Sequence, residues 1–306
     1  MVWAMFKKTF ALLFCLIFGF VWGLSSGHYK VFPFSILKET KSYIAEFFPK
    51  PPKNRIYRPA ERFFTSTAER LEITCPNDDP ITFVALGQSN AANSLSSFGE
   101  RDPEATAYQF YDGKCYLMED PTIGSTGDRG SLWTEFAQSL SQASGWSVVF
   151  VTAAVEASSV NDWLEPESGY FDRAARQISQ AIDSGLTPKF VLWHQGETDA
   201  LSNTDPLDYT LRLKTLIEQV DQLFEPGLEP TWIIFQTSIC RGLPNGSRQL
   251  VEAQRNVTKQ HMRAILGPNT DQLGSLYRYD GCHFNANGKA RIIEELRTQI
   301  LDLENF

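Results

Sequence analysis

Two stretches of this chain carry residues able to do chemistry together: Gly87-Gln88-Ser89-Asn90, directly after an apolar run, and Asp280-Gly281-Cys282-His283, just before the last amphipathic segment. A histidine three residues after an aspartate can share one turn with it. The carboxylate then holds one ring nitrogen while the other points into a cleft, giving an orienting acid and a general base. Ser89 is the natural third member. Ile81–Leu86 has the composition of a buried strand, and the glycine after it allows a sharp turn that exposes a hydroxyl at the strand's C-terminal end.

The elements that must position these groups follow from periodicity. Apolar strand segments are expected near 81–86, 147–153, 189–193 and 231–236, and helices near 131–144, 171–184, 207–224, 247–265 and 286–303. Their alternation implies right-handed crossovers and a parallel sheet covered on both faces. Leu132, Phe136 and Leu140 recur at fourfold spacing, as do Ile292, Leu296 and Ile300, so each stripe belongs to the core. Ser89, the Ala157-Ser158 loop, Gln195 and the Thr237-Ser238 loop all follow C-terminal strand ends, where doubly wound sheets bind ligands.

The order Ser, Asp, His is that of the α/β-hydrolases, but their G-x-S-x-G elbow needs glycine where this chain has Ala91, which disfavours that fold. The chain instead resembles the SGNH (GDSL-like) hydrolases, and within them the family-6 carbohydrate esterases and sialate O-acetylesterase-like domains. The resemblance rests on four blocks in order: the GQSN block, Gly130 in Gly-Ser-Leu-Trp, Trp193-His194-Gln195-Gly196-Glu197, and Asp280 to His283. It spans residues 80–300. Many members carry asparagine where this chain has Gln195, and the family-6 branch is like this chain there. The resemblance implies an α/β/α sandwich with a mostly parallel, flavodoxin-like sheet. It also implies a serine esterase acting on an acetylated carbohydrate through Ser89, His283 and Asp280. The oxyanion would be held by the amides of Ser89 and Gly130 and the Gln195 side chain. Gly127 lies close enough to compete with Gly130 for that role. Such chemistry needs no metal or organic cofactor.

The chain has 306 residues, 42% of them hydrophobic and 13% aromatic, enough for one catalytic domain with an N-terminal extension. We divide it at 1–27, 28–70 and 71–306. Net charge is −8, unevenly placed: Lys7 and Lys8 give +2, residues 26–70 carry +5, and residues 71–306 carry −15. An acidic catalytic domain argues against a nucleic-acid partner. Two lysines followed by the apolar run Thr9–Leu24 form an export segment, somewhat shorter than the ~20 residues of a spanning helix and without a clean small-residue cleavage site. An uncleaved membrane anchor is the expectation, with the catalytic domain outside the cytoplasm; cleavage would make the protein secreted. Residues 28–70, with Pro49-Lys-Pro-Pro52 in the middle, are expected to form a basic tether with a short helix near 36–48. In an exported chain the four cysteines beyond Cys15 should be oxidised. Cys75 and Cys115 flank the nucleophile block and are expected to pair, as are Cys240 and Cys282 at two active-site loops.

The remaining polar candidates are weaker. His194 is expected to pack beside Trp193 or bond a loop carbonyl, and His261 to be structural; His28 falls in the tether. Glu197, Asp199 and Asp205 are dense, but no histidine accompanies them at ligand spacing, so loop capping is expected rather than a metal. Trp163 and Arg241 are candidates for contacts to a sugar. Two other readings keep parts of this scheme: a polysaccharide O-acetyltransferase with the same acyl-enzyme, and a non-catalytic glycan-binding protein on the same fold. Product analysis separates the first, and an aryl-acetate assay the second.

Overall fold

A computed structural model describes residues 64–304 except Glu69. The expected export segment and nearly all of the tether, including the helix near 36–48, lie outside the described residues. From Phe64 onward the chain packs on the domain. Phe64 forms a bridge with Thr126, its ring lies under the Arg173 guanidinium, and Thr65 donates its amide to Ser125.

Eight strands form one sheet: β1 (Glu72–Ile73), β2 (Ile81–Gly87), β3 (Ala107–Tyr111), β4 (Lys114–Leu117), β5 (Val148–Thr152), β6 (Phe190–His194), β7 (Thr231–Gln236) and β8 (Ala264–Asn269). Their order is β1-β4-β3-β5-β2-β6-β7-β8. The run β5-β2-β6-β7-β8 is parallel and follows the flavodoxin-like order; β3 extends it in parallel, and β4 and β1 close that edge antiparallel. The helices are α1 (Trp133–Ser144), α2 (Val160–Leu164), α3 (Tyr170–Asp183), α4 (Glu197–Leu201), α5 (Pro206–Asp221), α6 (Arg248–Gln260) and α7 (Ala286–Glu304).

The central strands β2, β5 and β6 are buried throughout and β7 nearly so, as a sheet covered by helices on both faces demands. On one side Val84, Leu86, Val151, Trp193 and Ile234 pack against α3, α5 and α6. On the other, Phe83, Ala85, Phe150, Leu192 and Phe235 pack against the Phe136 and Leu140 stripe of α1 and the Ile292, Leu296 and Ile300 stripe of α7. Lys289 of α7, only 1% exposed, reaches Glu135 of α1 at 2.6 Å and ties the two helices over that layer.

Several elements differ from the periodicity reading. The helix expected over 247–265 ends at Gln260, and Ala264–Asn269 is β8 instead. His261 already has extended backbone, and Pro268 is tolerated because β8 is an edge strand. The β3–β4 hairpin was not expected, although Asp112 and Gly113 both have positive φ, 48° and 77°, as the two-residue turn requires. The short helices α2 and α4 carry too few residues to set up a period.

Candidate active site

The sheet switches direction at β2, which has β5 on one side and β6 on the other, so the crevice above its C-terminal end is where loops from both sides meet. Gly87 ends β2 at φ +133°, and a Cβ there would lie 2.2 Å from the His194 carbonyl oxygen, so no other residue fits. The chain turns at once, with the amides of Ala91 and Ala92 donating to the Gln88 carbonyl. Ser89 sits on this turn, 5% exposed, and its hydroxyl has no hydrogen bond within the described residues.

The second block is a compact turn built on its own aspartate. Asp280 Oδ1 accepts the backbone amides of Cys282 and His283, both at 2.9 Å, while Oδ2 lies 2.9 Å from His283 Nδ1. Gly281, at φ +83°, supplies the left-handed step. Burial pushes the Asp280 carboxyl up, but the hydrogen bonds from the His283 amide and ring and from the Cys282 amide outweigh it, and its pKa falls to about 2. The carboxylate therefore stays ionised across the working range and can accept a proton carried on Nδ1, the arrangement that leaves Nε2 open as an acceptor. Arg241 donates to the same Oδ2 at 3.2 Å and to the Asp280 carbonyl.

Asn90 joins the two blocks. It is fully buried; its Nδ2 donates to the Cys282 carbonyl at 3.3 Å and to Glu197 Oε1 at 2.6 Å, and its Oδ1 accepts the Phe284 amide at 3.3 Å. One side chain next to Ser89 thus grips both neighbours of His283. Glu197 lies at the start of α4 and is fully buried; burial pushes its carboxyl upward against the Asn90 hydrogen bond. Arg278 crosses beneath, donating to the carbonyls of Thr270, Leu273 and Cys282. Asn90, Glu197 and Arg278 were not singled out as site residues in the sequence. The fourth letter of GQSN and the last of WHQGE were the available signals.

Of the two further expected donors, Gln195 is committed elsewhere. Gln195 is fully buried, and its amide nitrogen faces Asp199 Oδ2 at 2.5 Å, the Ser158 carbonyl at 3.0 Å and Gln88 Oε1 at 3.2 Å. It therefore braces the loops beneath the site rather than pointing into it. Gly130 pairs with Leu95 through its carbonyl, which accepts the Leu95 amide at 2.9 Å, and a Cβ there would fall 1.7 Å from the Ser97 carbonyl oxygen; its own amide has no acceptor among the described residues. Trp163, a candidate for sugar contact, is instead sealed in the core: it is 0% exposed, donates to Ser158 Oγ and packs edge-on against Trp193 and Tyr170, which leaves no face for a sugar. Arg241 does lie at the site, with a 74% exposed side chain, but its partner there is Asp280.

His194 does not pack beside Trp193, because successive strand residues face opposite sides of the sheet. It stacks on Phe235 at 4.5 Å and lies near Phe284, with neither ring nitrogen hydrogen-bonded. Burial, aided by the Arg278 charge, lowers its pKa to about 3. It is neutral and is not a candidate base. The sign of its effect on stability follows. The unfolded chain takes up a proton at this residue near the ordinary value of 6.5, and the folded chain only near 3. Its contribution is complete above 6.5 and is lost progressively as pH falls toward 3. Glu197, shifted upward, works in the opposite sense. We expect unfolding at pH 4–5 to take up a proton attributable to His194, measurable by the pH dependence of the denaturant midpoint and reduced in a His194→Gln variant.

The other polar candidates have local partners. Asp199 accepts from the Val160 amide and Thr204, Asp205 caps α5 through the amides of Leu207 and Asp208, and His261 lies 3.7 Å from Asp221. Cys75–Cys115 and Cys240–Cys282 are both disulfides. Such bonds persist in oxidising compartments and point to an extracytoplasmic domain. No helix among the described residues is long and apolar enough to cross a membrane.

Comparison with known proteins agrees with this architecture. Among solved structures, a protein from Arabidopsis thaliana is 17% identical with a TM-score of 0.59, covering 72% of this chain and 97% of its own. The psychrotrophic esterase EstA from Pseudoalteromonas sp. is 14% identical with a TM-score of 0.46, covering 74% and 99%. A variant of Axe2, an acetyl xylan esterase from Geobacillus stearothermophilus, is 11% identical with a TM-score of 0.46, covering 72% and 94%. Nothing among curated proteins matches the chain. The family model described as carbohydrate esterase, sialic acid-specific acetylesterase, matches residues 81–302, from the first residue of β2 almost to the end of α7. The chain belongs to this carbohydrate esterase family.

Proposed function

We propose that the chain removes O-acetyl groups from a carbohydrate by a serine mechanism, with Ser89 as nucleophile, His283 as base and Asp280 as its orienting carboxylate. The observation that carries this reading is Asn90, whose side chain holds both neighbours of His283 from a position adjacent to Ser89. Ser89 Oγ attacks the acetyl carbonyl and gives its proton to His283 Nε2, and Asp280 stabilises the imidazolium. His283 then protonates the departing sugar oxygen. Water, deprotonated by the same nitrogen, releases acetate from the acetyl-enzyme and restores Ser89.

The developing oxyanion needs hydrogen-bond donors. The Ser89 amide has no acceptor among the described residues. Gln88 provides a second donor: its Oε1 accepts the Gly196 and Thr198 amides at 3.4 and 3.0 Å, which turns the amide nitrogen away from α4. That nitrogen has no protein acceptor among the described residues, and it is not among the polar atoms sealed from solvent without a partner. We assign these two donors of the GQSN turn to the oxyanion together with the Gly130 amide, and in place of Gln195.

The N-terminal segment would export the chain and, if uncleaved, anchor it with this domain outside the cytoplasm. The two disulfides are consistent with export.

The test is acetate release from O-acetylated glycans, with mass spectrometry of the glycan before and after incubation and of the protein during turnover. A serine-linked acetyl adduct with net loss of glycan acetyl groups supports the reading. Transfer of acetyl to an added glycan without free acetate would make the chain a transferase. Activity is expected to fall on acidification because an imidazolium cannot accept the serine proton, whereas Asp280, held near 2, stays charged throughout. The kcat/KM profile should therefore have a single acid limb, set by the base and not by Asp280. A limb near pH 2–4 instead would assign the base to a carboxylate.

A further inference from the structure

We infer that Tyr279 is the aromatic platform on which the sugar of the leaving group rests, making it a specificity-determining residue of the same site; this rests on the carbohydrate-esterase reading. The large rings behind the catalytic loops, Trp163, Trp193, Phe235 and Phe284, are all sealed in the core at 0% exposure. Tyr279 is 41% exposed, and its ring lies against His283 with centroids 6.0 Å apart at 30°. A leaving-group oxygen must come within hydrogen-bond reach of His283 Nε2 to be protonated, so the ring attached to that oxygen is delivered beside this exposed tyrosine.

Tyr279 is held rigidly from several loops. Its hydroxyl donates to the carbonyl of Ser94, on the segment following the nucleophile, at 3.1 Å. Its amide donates to the His283 carbonyl at 3.0 Å, and the Arg129 guanidinium lies 5.5 Å from its centroid. A pre-ordered aromatic side chain offers contact area at low entropic cost, and the C–H faces of a pyranose are apolar enough to use it. A polar alcohol without a ring face gains nothing there. Tyr279 therefore selects among acetate esters by their alcohol part and not by their acyl part.

The experiment compares an O-acetylated methyl pyranoside with vinyl acetate, which shares the acetyl group and has no ring. In Tyr279→Ala, the ratio of kcat/KM for the pyranoside over vinyl acetate is expected to fall about tenfold, as loss of about 1.4 kcal/mol of contact requires. The loss should appear chiefly in the pyranoside KM. Tyr279→Phe, which keeps the ring and loses only the bond to Ser94, should restore most of the ratio. If alanine impairs folding, Tyr279→Leu retains apolar bulk without a ring face and should show the same lowered ratio. A wild-type enzyme that cleaves both esters, with an unmoved ratio in these variants, overturns the platform and leaves Tyr279 as packing for His283. A wild-type enzyme that cleaves vinyl acetate but no acetylated sugar would instead refute the carbohydrate reading, and the platform with it.

Discussion

Ser89→Ala is expected to reduce turnover of short acetate esters by about 10⁵–10⁶-fold, the loss seen when a triad nucleophile is removed and only binding and oxyanion stabilisation remain. The variant should fold normally, because the Ser89 hydroxyl takes no part in the hydrogen bonds that build the turn; those come from Gln88 and Asn90. His283→Ala should be comparably severe. The double variant should be no slower than either single one, since groups acting as one unit do not lose rate additively. Steady-state assay with an aryl acetate decides this, with circular dichroism as the control. Turnover above about one-hundredth of wild type in Ser89→Ala would remove the serine from its assigned role, and the alternative of a non-catalytic glycan-binding protein predicts no aryl-acetate hydrolysis at all.

The second large effect concerns the Cys240–Cys282 disulfide, which closes a loop with a sequence separation of 42. Cross-linking a loop of that length stabilises the fold by about 4 kcal/mol in the chain-entropy model. Cys282 sits between Asp280 and His283, and Cys240 is next to Arg241, which donates to Asp280. The covalent tie thus holds the Asp280–His283 turn to the loop after β7, at the point where the proposed base is oriented. Replacing both cysteines by serine should lower stability by several kcal/mol and reduce kcat in the same variant. The equivalent pair Cys75→Ser and Cys115→Ser, at the β1–β4 edge, should cost stability with little change in kcat. Peptide mapping under non-reducing conditions checks the connectivity. Equal kcat losses from the two double variants would show that the first bridge has no special link to the catalytic turn.

Much of this protein is determined by local pattern. The four central strands were legible because each is a short apolar run bounded by turn residues. The long helices were legible because Phe136, Leu140, Ile292, Leu296 and Ile300 mark one face at helical spacing. The Asp280–His283 pair was legible for the same reason, since a contact within one turn is written in the spacing. The cysteine pairing followed from compartment and from position relative to the active-site loops. Where the pattern is short or mixed it misleads: β8 continues an amphipathic stretch whose spacing is helical, and the β3–β4 hairpin, with its Asp112-Gly113 turn, has strands too short and mixed to mark an apolar run.

What only the tertiary structure decided is the direction in which each side chain of the site points. Gln88 and Gln195 are chemically equivalent amides that follow the neighbouring strands β2 and β6, and nothing in their order says which has an unclaimed nitrogen. That depends on the Gly196 and Thr198 amides and Asp199 closing around them. Trp163 and Tyr279 are both aromatic residues near catalytic loops. One is buried against Trp193, and the other lies open beside His283, because α2 packs into the helical layer while the Asp280 turn stands at the rim of the site. Asn90 and Cys282 are 192 residues apart, and their contact exists only once the turn after β2 and the turn before α7 have been brought to one crevice. Sequence spacing therefore determined the local relation of Asp280 to His283, because it spans a single turn; long-range packing decided which donors and surfaces these side chains and Ser89 meet, because burial is a property of the assembled fold.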